Sequence, residues 1–457
     1  MSGQWVSSDV IRGAFARAMS DMYKAEVPQY GTLLSLVRQV NQDVLAADPD
    51  LARLMAERDE LERLDVERHG AIRLGTAAEL RTMGRLFSVM GMHPVGYYDL
   101  SVAGVPVHST AFRPIDEAAL ARNPFRVFTS LLRLELIADP TLQTQAAEIL
   151  ARRQIFTPGA LKLIEAAEQQ GGLDAAQAES FVTEALETFR WHGEANVSAS
   201  TYGALHDAHR LIADVVSFKG PHINHLTPRT LDIDAVQAQM PAHGIAPKAT
   251  IEGPPRRACP ILLRQTSFKA LDEPIRFVAE DGTVAGRHTA RFGEIELRGV
   301  ALTPKGRALY DQFLDAVRLA TQAPHKPDYM ATLAEVFAEF PDDYDTLRRE
   351  RLAFFRYSAT ATGVGLSGDV EALLAQGHLR CDPIIYEDFL PVSAAGIFQS
   401  NLDSAQTQDL GQASSRQAFE AALGLALNDE MALYRQIEQA SLTAALAQLG
   451  GKRAAVA

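Results

Sequence analysis

One order of elements, strand, helix, strand, strand, strand, occurs twice along this chain of 457 residues, and the repetition constrains the fold more than any other feature. The first copy opens at His69-Gly70-Ala71-Ile72-Arg73-Leu74, a short stretch whose glycine disfavours a helix interior. Thr76-Ala77-Ala78-Glu79 has the form of a capping box, and the spacing of Leu80, Met83, Leu86 and Phe87 predicts a helix that stops at Gly91. Three extended segments follow: Val95 to Leu100, Val105 to Phe112, and Ser130 to Ile137, where Leu132, Leu134 and Leu136 alternate with Arg133 and Glu135. The second copy reads as a strand His222 to Leu226 and a helix Ile233 to His243. Strands at Lys248 to Glu252, Ile261 to Phe268 and Arg291 to Val300 complete it, with a further short one at Ile275 to Val278. Its closing Glu294-Ile295-Glu296-Leu297-Arg298 echoes Arg133-Leu134-Glu135-Leu136.

The expected class is therefore α+β, with two βαβββ modules. Paired modules of this kind curl into a half-open barrel whose concave face can hold a metal, as in the vicinal-oxygen-chelate enzymes, an analogy that speaks for architecture alone. The predicted organisation is N-terminal helices over 1–66, the first module over 67–137, an inserted helical block over 138–213, the second module over 214–302 and a C-terminal helical region over 303–457. In the insert, Thr157-Pro158 predicts a cap and first-turn proline, and Gly171-Gly172 a break before a helix from Ala175.

Three stretches carry side chains able to ligate a metal: Arg68-His69-Gly70-Ala71-Ile72-Arg73, Pro221-His222-Ile223-Asn224-His225 and Phe292-Gly293-Glu294-Ile295-Glu296. Two imidazoles and one carboxylate suit a mononuclear iron(II) oxygenase, because they occupy one face of the metal and leave positions for substrate and O2. His69 and Arg73 project together from a strand, reading either as a ligand beside a cationic anchor for an acid or as a charged surface patch with Glu67 and Arg68. His222 and His225 are three apart, so only one enters a site on one strand face; His225 is favoured, with His222 supporting it. Glu294 and Glu296 share a face, one a ligand and the other solvated or paired with Arg298, unless the segment is a plain amphipathic edge. Ligands on two opening strands and a closing strand of repeated modules would converge in one cavity.

Other features narrow the classes. A formal net charge of −13 disfavours nucleic acid or an anionic membrane as the main partner. No apolar run approaches the roughly 18 residues of a membrane span. Cys259 and Cys381 form no Cys-x-x-Cys pattern, which argues against a disulfide framework or structural zinc and for a cytoplasmic protein. His206 and His209 lack the glutamate of a metalloprotease helix and are expected to make ordinary hydrogen bonds. Gly363-Val364-Gly365-Leu366-Ser367-Gly368 has dinucleotide-fingerprint spacing, with Glu387 and Asp388 about twenty residues on, but no alternating strands and helices surround it.

Five stretches in order span nearly the whole chain: Val27-Pro28-Gln29-Tyr30-Gly31, Glu67-Arg68-His69-Gly70-Ala71-Ile72-Arg73, Gly220-Pro221-His222-Ile223-Asn224-His225-Leu226-Thr227, Arg291-Phe292-Gly293-Glu294 and Tyr386-Glu387-Asp388-Phe389-Leu390-Pro391-Val392-Ser393-Ala394. Through them the sequence resembles the 2-oxoadipate dioxygenase/decarboxylases, or 2-hydroxyglutarate synthases, of bacterial lysine catabolism. The resemblance implies an Fe(2+) enzyme with a vicinal-oxygen-chelate core. It implies His69, His225 and Glu294 as metal ligands, Arg73 as the catalytic anchor of the substrate carboxylate, and His69 next to the substrate as well. The Val392-Ser393 backbone, in a loop over 383–401, would close the pocket. The implied reaction turns 2-oxoadipate and O2 into 2-hydroxyglutarate and CO2, the 2-oxo acid chelating iron through its keto oxygen and adjacent carboxylate. Arginine suits a carboxylate better than lysine, because its planar fork offers two parallel donors. A metal-dependent lyase or hydrolase using the same ligands on a metal-bound water stays open, as does a non-catalytic binder of a small acid.

Overall fold

In the computed structural model, which describes residues 5–321, 328–360, 365–366, 368–390 and 409–450, the first module forms as its sequence predicts up to its last strand. Strand β1 (Arg68–Leu74) leads into a helix, Ala77–Val89, started by a complete capping box between Thr76 and Glu79. Strands β2 (His93–Asp99), β3 (Val107–Arg113) and β4 (Arg126–Leu132) complete the module. The closing strand thus lies upstream of the expected Ser130 to Ile137, and Leu134–Leu136 is a 3-10 turn. The alternation there misleads because Leu136 is exposed, whereas β4 is buried along its whole length and shows no alternation.

The second module contains β5 (His225–Pro228), a helix Ile233–Gln239 prolonged by a 3-10 turn Met240–His243, β6 (Leu263–Ser267), β7 (Asp272–Ala279), β8 (Gly282–Thr289) and β9 (Phe292–Arg298). The expected strand from His222 begins only at His225. The stretch before it is irregular, with Ile223 N donating to Phe189 O and Asn224 N to Ala71 O. Lys248 to Glu252 is not a continuous strand either. It touches the β6 edge at its ends, where Lys248 N donates to Ser267 O at 2.8 Å and Glu252 N to Gln265 O at 2.7 Å. It therefore occupies the second-strand position of the module as a broken edge. β7 and β8 form a separate two-stranded sheet inserted into the module. β8 is unpredicted; its signal is Asp281-Gly282, with Gly282 at φ 124°, at the turn of the hairpin.

Seven strands form one sheet in the order β2-β3-β4-β1-β5-β9-β6. Each module pairs its first strand parallel to its last, β1 with β4 and β5 with β9, and the two opening strands meet antiparallel at the centre. This is the expected α+β arrangement of two modules in one half-open sheet. The back face presents Ile72, Leu74, Val127, Leu131, Leu226 and Ile295 to a core shared with Phe15, Met19 and Leu33 of the helices Ser8–Glu26 and Pro28–Ala47. Burying each such side chain contributes about 1.5–3 kcal/mol, which fixes which face of the sheet is left for chemistry.

The chain divides into two compact units, Met1–Glu252 with Gln265–Leu297 and Pro391–Leu427, and Gly253–Arg264 with Arg298–Leu390 and Asn428–Ala457. The first contains the inserted helices Pro140–Ala151, Pro158–Gln170, Ala175–Leu186, Ala199–Ala208 and Arg210–Val216. In the second, β10 (Phe355–Ala359) and β11 (Leu379–Pro383) pair antiparallel, and Leu373, Leu379, Ala445 and Leu449 form a small core. The glycine run 363–368 lies largely outside the described residues, and the strand before it is not in the parallel sheet that a dinucleotide site needs. Among the described residues no helix is long and apolar enough to cross a membrane.

Candidate metal centre

Strand register assembles this site. His69 of β1 lies opposite Thr227 of β5, and the parallel pairing of β5 with β9 sets His225 beside Phe292 and Leu226 beside Gly293. Thr227 then falls beside Glu294. Residues two apart share a face, so His69, His225, Thr227, Glu294 and Glu296 all project from the concave side. A glycine is needed where β1 meets β5: a Cβ on Gly70 would lie 2.7 Å from His225 O and from Ile223 Cδ1.

His69, His225 and Glu294 are buried, and each offers a ligand atom within 4.8 Å of the others. His69 Nε2 is 3.1 Å and His225 Nε2 3.8 Å from Glu294 Oε1. The same oxygen accepts from Thr227 Oγ1 at 3.0 Å and Gln265 Nε2 at 2.8 Å. The other ring nitrogen of His69, Nδ1, lies 2.9 Å from Glu296 Oε2. Behind it Arg126 Nη1 stands 4.0 Å from Glu296 Oε1, while its Nη2 donates to Glu67 Oε1 at 2.8 Å. The His225 ring stacks on Phe292 with centroids 4.8 Å apart.

Burial favours the neutral form of each group, and the charges around it decide the outcome. Burial pushes the Glu294 carboxyl up, but His225 and His69 outweigh it and hold the group below the ordinary range. Burial likewise opposes a charge on His69, yet Glu296 and Glu294 raise it above the usual value. His225 is pushed down to about 4 by burial, so its imidazole is neutral at neutral pH, and its buried Nδ1 has no hydrogen-bond partner among the described residues. Two imidazoles, a carboxylate held by two neutral donors and an unpartnered ring nitrogen fit a divalent transition-metal ion. Such an ion would take the place of the proton that His69 shares with Glu294.

A cavity of about 600 Å³ is lined by Arg73, Tyr202, Arg210, Asp214, Lys248 and Phe292, among others. The three candidate ligands are not in its lining; Phe292, stacked on His225, connects the two. Arg73 reaches this cavity and donates from Nη1 to Asp214 Oδ2 at 2.7 Å. His222 stays apart from the cluster: its Nε2 is 3.0 Å from Asn224 Nδ2 and 3.7 Å from Asp214 Oδ1, and burial pushes it down to about 3. His209 Nδ1 accepts from Leu211 N at the start of the helix Arg210–Val216, whereas His206 lines the cavity. Val392 and Ser393 lie outside the described residues. Sequence reasoning missed Thr227, Gln265, Asp214, Arg210 and Lys248. Only Thr227 had a signal, since it is two residues from His225 and so shares its face.

The pattern of the 2-oxoadipate dioxygenase/decarboxylase family matches residues 15–401. A Pseudomonas putida protein named 2-oxoadipate dioxygenase/decarboxylase is 60% identical over 453 residues, 97% of either chain. An Escherichia coli protein of the same name is 59% identical over 443 residues, 95% of this chain and 98% of that one. The solved structure of the Pseudomonas putida hydroxyglutarate synthase in complex with 2-oxoadipate superimposes with a TM-score of 0.91 at 59% identity, covering 98% of this chain and 100% of the other.

Proposed function

Because this chain belongs to the 2-oxoadipate dioxygenase/decarboxylase family, we propose that it is an iron(II)-dependent enzyme that converts 2-oxoadipate and O2 into 2-hydroxyglutarate and CO2. The observation that carries this reading is the convergence of His69, His225 and Glu294 within 4.8 Å on the concave face of the sheet. Bound there, iron(II) would supply open coordination positions and the electrons for O2 chemistry, the pattern associated with two histidines and one carboxylate.

The protein's own groups have separable tasks. Thr227 and Gln265 hold Glu294 in one orientation, and Glu296 holds His69. Arg73 receives the substrate carboxylate remote from the keto group, fixing chain length by where it stands. The wall of the cavity suits a dianion: Arg73, Arg210, Lys248 and Arg287 line it against one acid, Asp214. Arg287 pairs with Asp272, so the remaining wall still carries more positive than negative charge.

The test is O2 uptake by anaerobically iron-loaded protein against a panel of 2-oxo diacids, with mass analysis of the product. One O2 consumed per CO2 released, a five-carbon hydroxy diacid, and 18O2-derived oxygen in its new carboxylate are the expected results. Turnover without O2, or a product that keeps six carbons, would favour a lyase or hydrolase using the same ligands.

A further inference from the structure

We propose that Asp214 is a positioning residue for substrate selection, aiming Arg73 across the cavity while His288 and Tyr202 fix Asp214 in turn. The proposal rests on the reading of Arg73 as the carboxylate anchor. Four elements contribute to a continuous chain of contacts. Arg73 Nη1 of β1 donates to Asp214 Oδ2 at 2.7 Å; Asp214 Oδ1 lies 3.0 Å from His288 Nε2 on β8; His288 Nδ1 lies 2.7 Å from the hydroxyl of Tyr202 on the helix Ala199–Ala208. All four residues line the same cavity.

The geometry separates the roles. Asp214 is buried and Arg73 partly open, with side chains 8% and 16% exposed, so the acid stands behind and the guanidinium in front. Asp214 takes a single Nη1 donor, and no other acceptor among the described residues takes the remaining donors of the fork. They stay available for a planar carboxylate, which arginine binds through two parallel N–H groups. Burial would push the Asp214 carboxyl up, but His222, His288 and Arg73 outweigh it and keep it ionised. A long side chain tethered at one end is ordered before the substrate arrives, so less ordering remains to oppose binding. The inserted helices and the β7–β8 hairpin, the two parts that the module repeat does not explain, thereby share one task.

The test compares iron-loaded wild type, Asp214→Asn, Tyr202→Phe and Arg73→Lys with 2-oxoadipate and with 2-oxohexanoate, which has the same length but lacks the second carboxylate. For Asp214→Asn the preference in kcat/KM for the diacid should fall by about tenfold, the scale of one charge-assisted hydrogen bond, mostly through KM and at unchanged iron content. Tyr202→Phe, which removes one hydroxyl, should shift the preference in the same direction by less. An unchanged preference in folded Asp214→Asn, or a uniform loss of kcat on both substrates, overturns the proposal. If Asp214→Asn does not fold, an unchanged preference in Tyr202→Phe overturns it. Loss of preference in Arg73→Lys but not in Asp214→Asn defeats this proposal alone; no loss in either defeats the reading of Arg73 as well.

Discussion

His69 is held at both ring nitrogens by carboxylates two residues apart on one strand, Glu294 at Nε2 and Glu296 at Nδ1. A ligand histidine is commonly oriented by an acceptor on its second nitrogen, and losing that acceptor lowers metal affinity by about 10–100-fold. Glu296→Gln is therefore expected to weaken iron(II) binding by about that factor with the fold retained, as read by anaerobic titration of the metal-free protein. Alanine at His69, His225 or Glu294 should abolish stoichiometric binding in the same titration. Lys248 offers a pH test. Burial pushes it down to about 8, against the opposing pull of Glu294. It is charged below that value and neutral above it, so its attraction for a dianion is present at neutral pH and lost as pH rises through about 8. The KM for 2-oxoadipate should climb over that range, and Lys248→Gln should flatten the climb.

At the scale of elements, the contact of β1 with β5 joins the modules and places two of the three candidate ligands. At Gly70 in this contact an added Cβ would meet a backbone oxygen that cannot rotate away. Overpacking of this kind costs about 1–3 kcal/mol. Gly70→Ala is expected to lose stability in that range by urea unfolding and to lose iron affinity, since His225 is the residue that must shift. A stable variant with unchanged affinity would show that the two strands have slack. The capped helix Ala77–Val89 was legible because a capping box acts within four residues. The closing strand β4 was not, because burial on both faces erases the alternation by which a strand is read.

Across the whole first unit, Glu67 ties both modules together. Its carboxylate accepts from Arg63, from Arg126 of β4 and from Arg229, which follows β5, with donor distances from 2.8 to 3.3 Å. Burial would raise its carboxyl, but the guanidiniums of Arg63, Arg126 and Arg229 outweigh that and hold it well below its ordinary value. A group depressed in this way stabilises the fold above the pKa of the unfolded glutamate and loses that contribution as pH falls through the folded one. Stability should thus decline once pH drops below the ordinary glutamate range. Glu67→Ala should cost about 3–5 kcal/mol at pH 7, because it leaves buried arginines without their shared acid. Urea unfolding at pH 7 measures the cost of the substitution, and a series carried from pH 7 to well below the ordinary glutamate range measures the decline.

The amino-acid sequence by itself determined the paired modules, the capped helix and the faces of the strands, since period-two alternation and capping depend on residues a few positions apart. It also carried the family, through stretches spread from Val27 to Ala394. The sequence already favoured His225 over His222 beside His69 and Glu294, and the tertiary structure supplies the reason: β5 begins at His225, a start that depends on pairing with β1 and β9. The cavity wall was invisible. Arg210 and Asp214 stand in one helix and Lys248 on a broken edge, with no distinguishing spacing, and only the packing of the inserted helices against the second module brings them to one space.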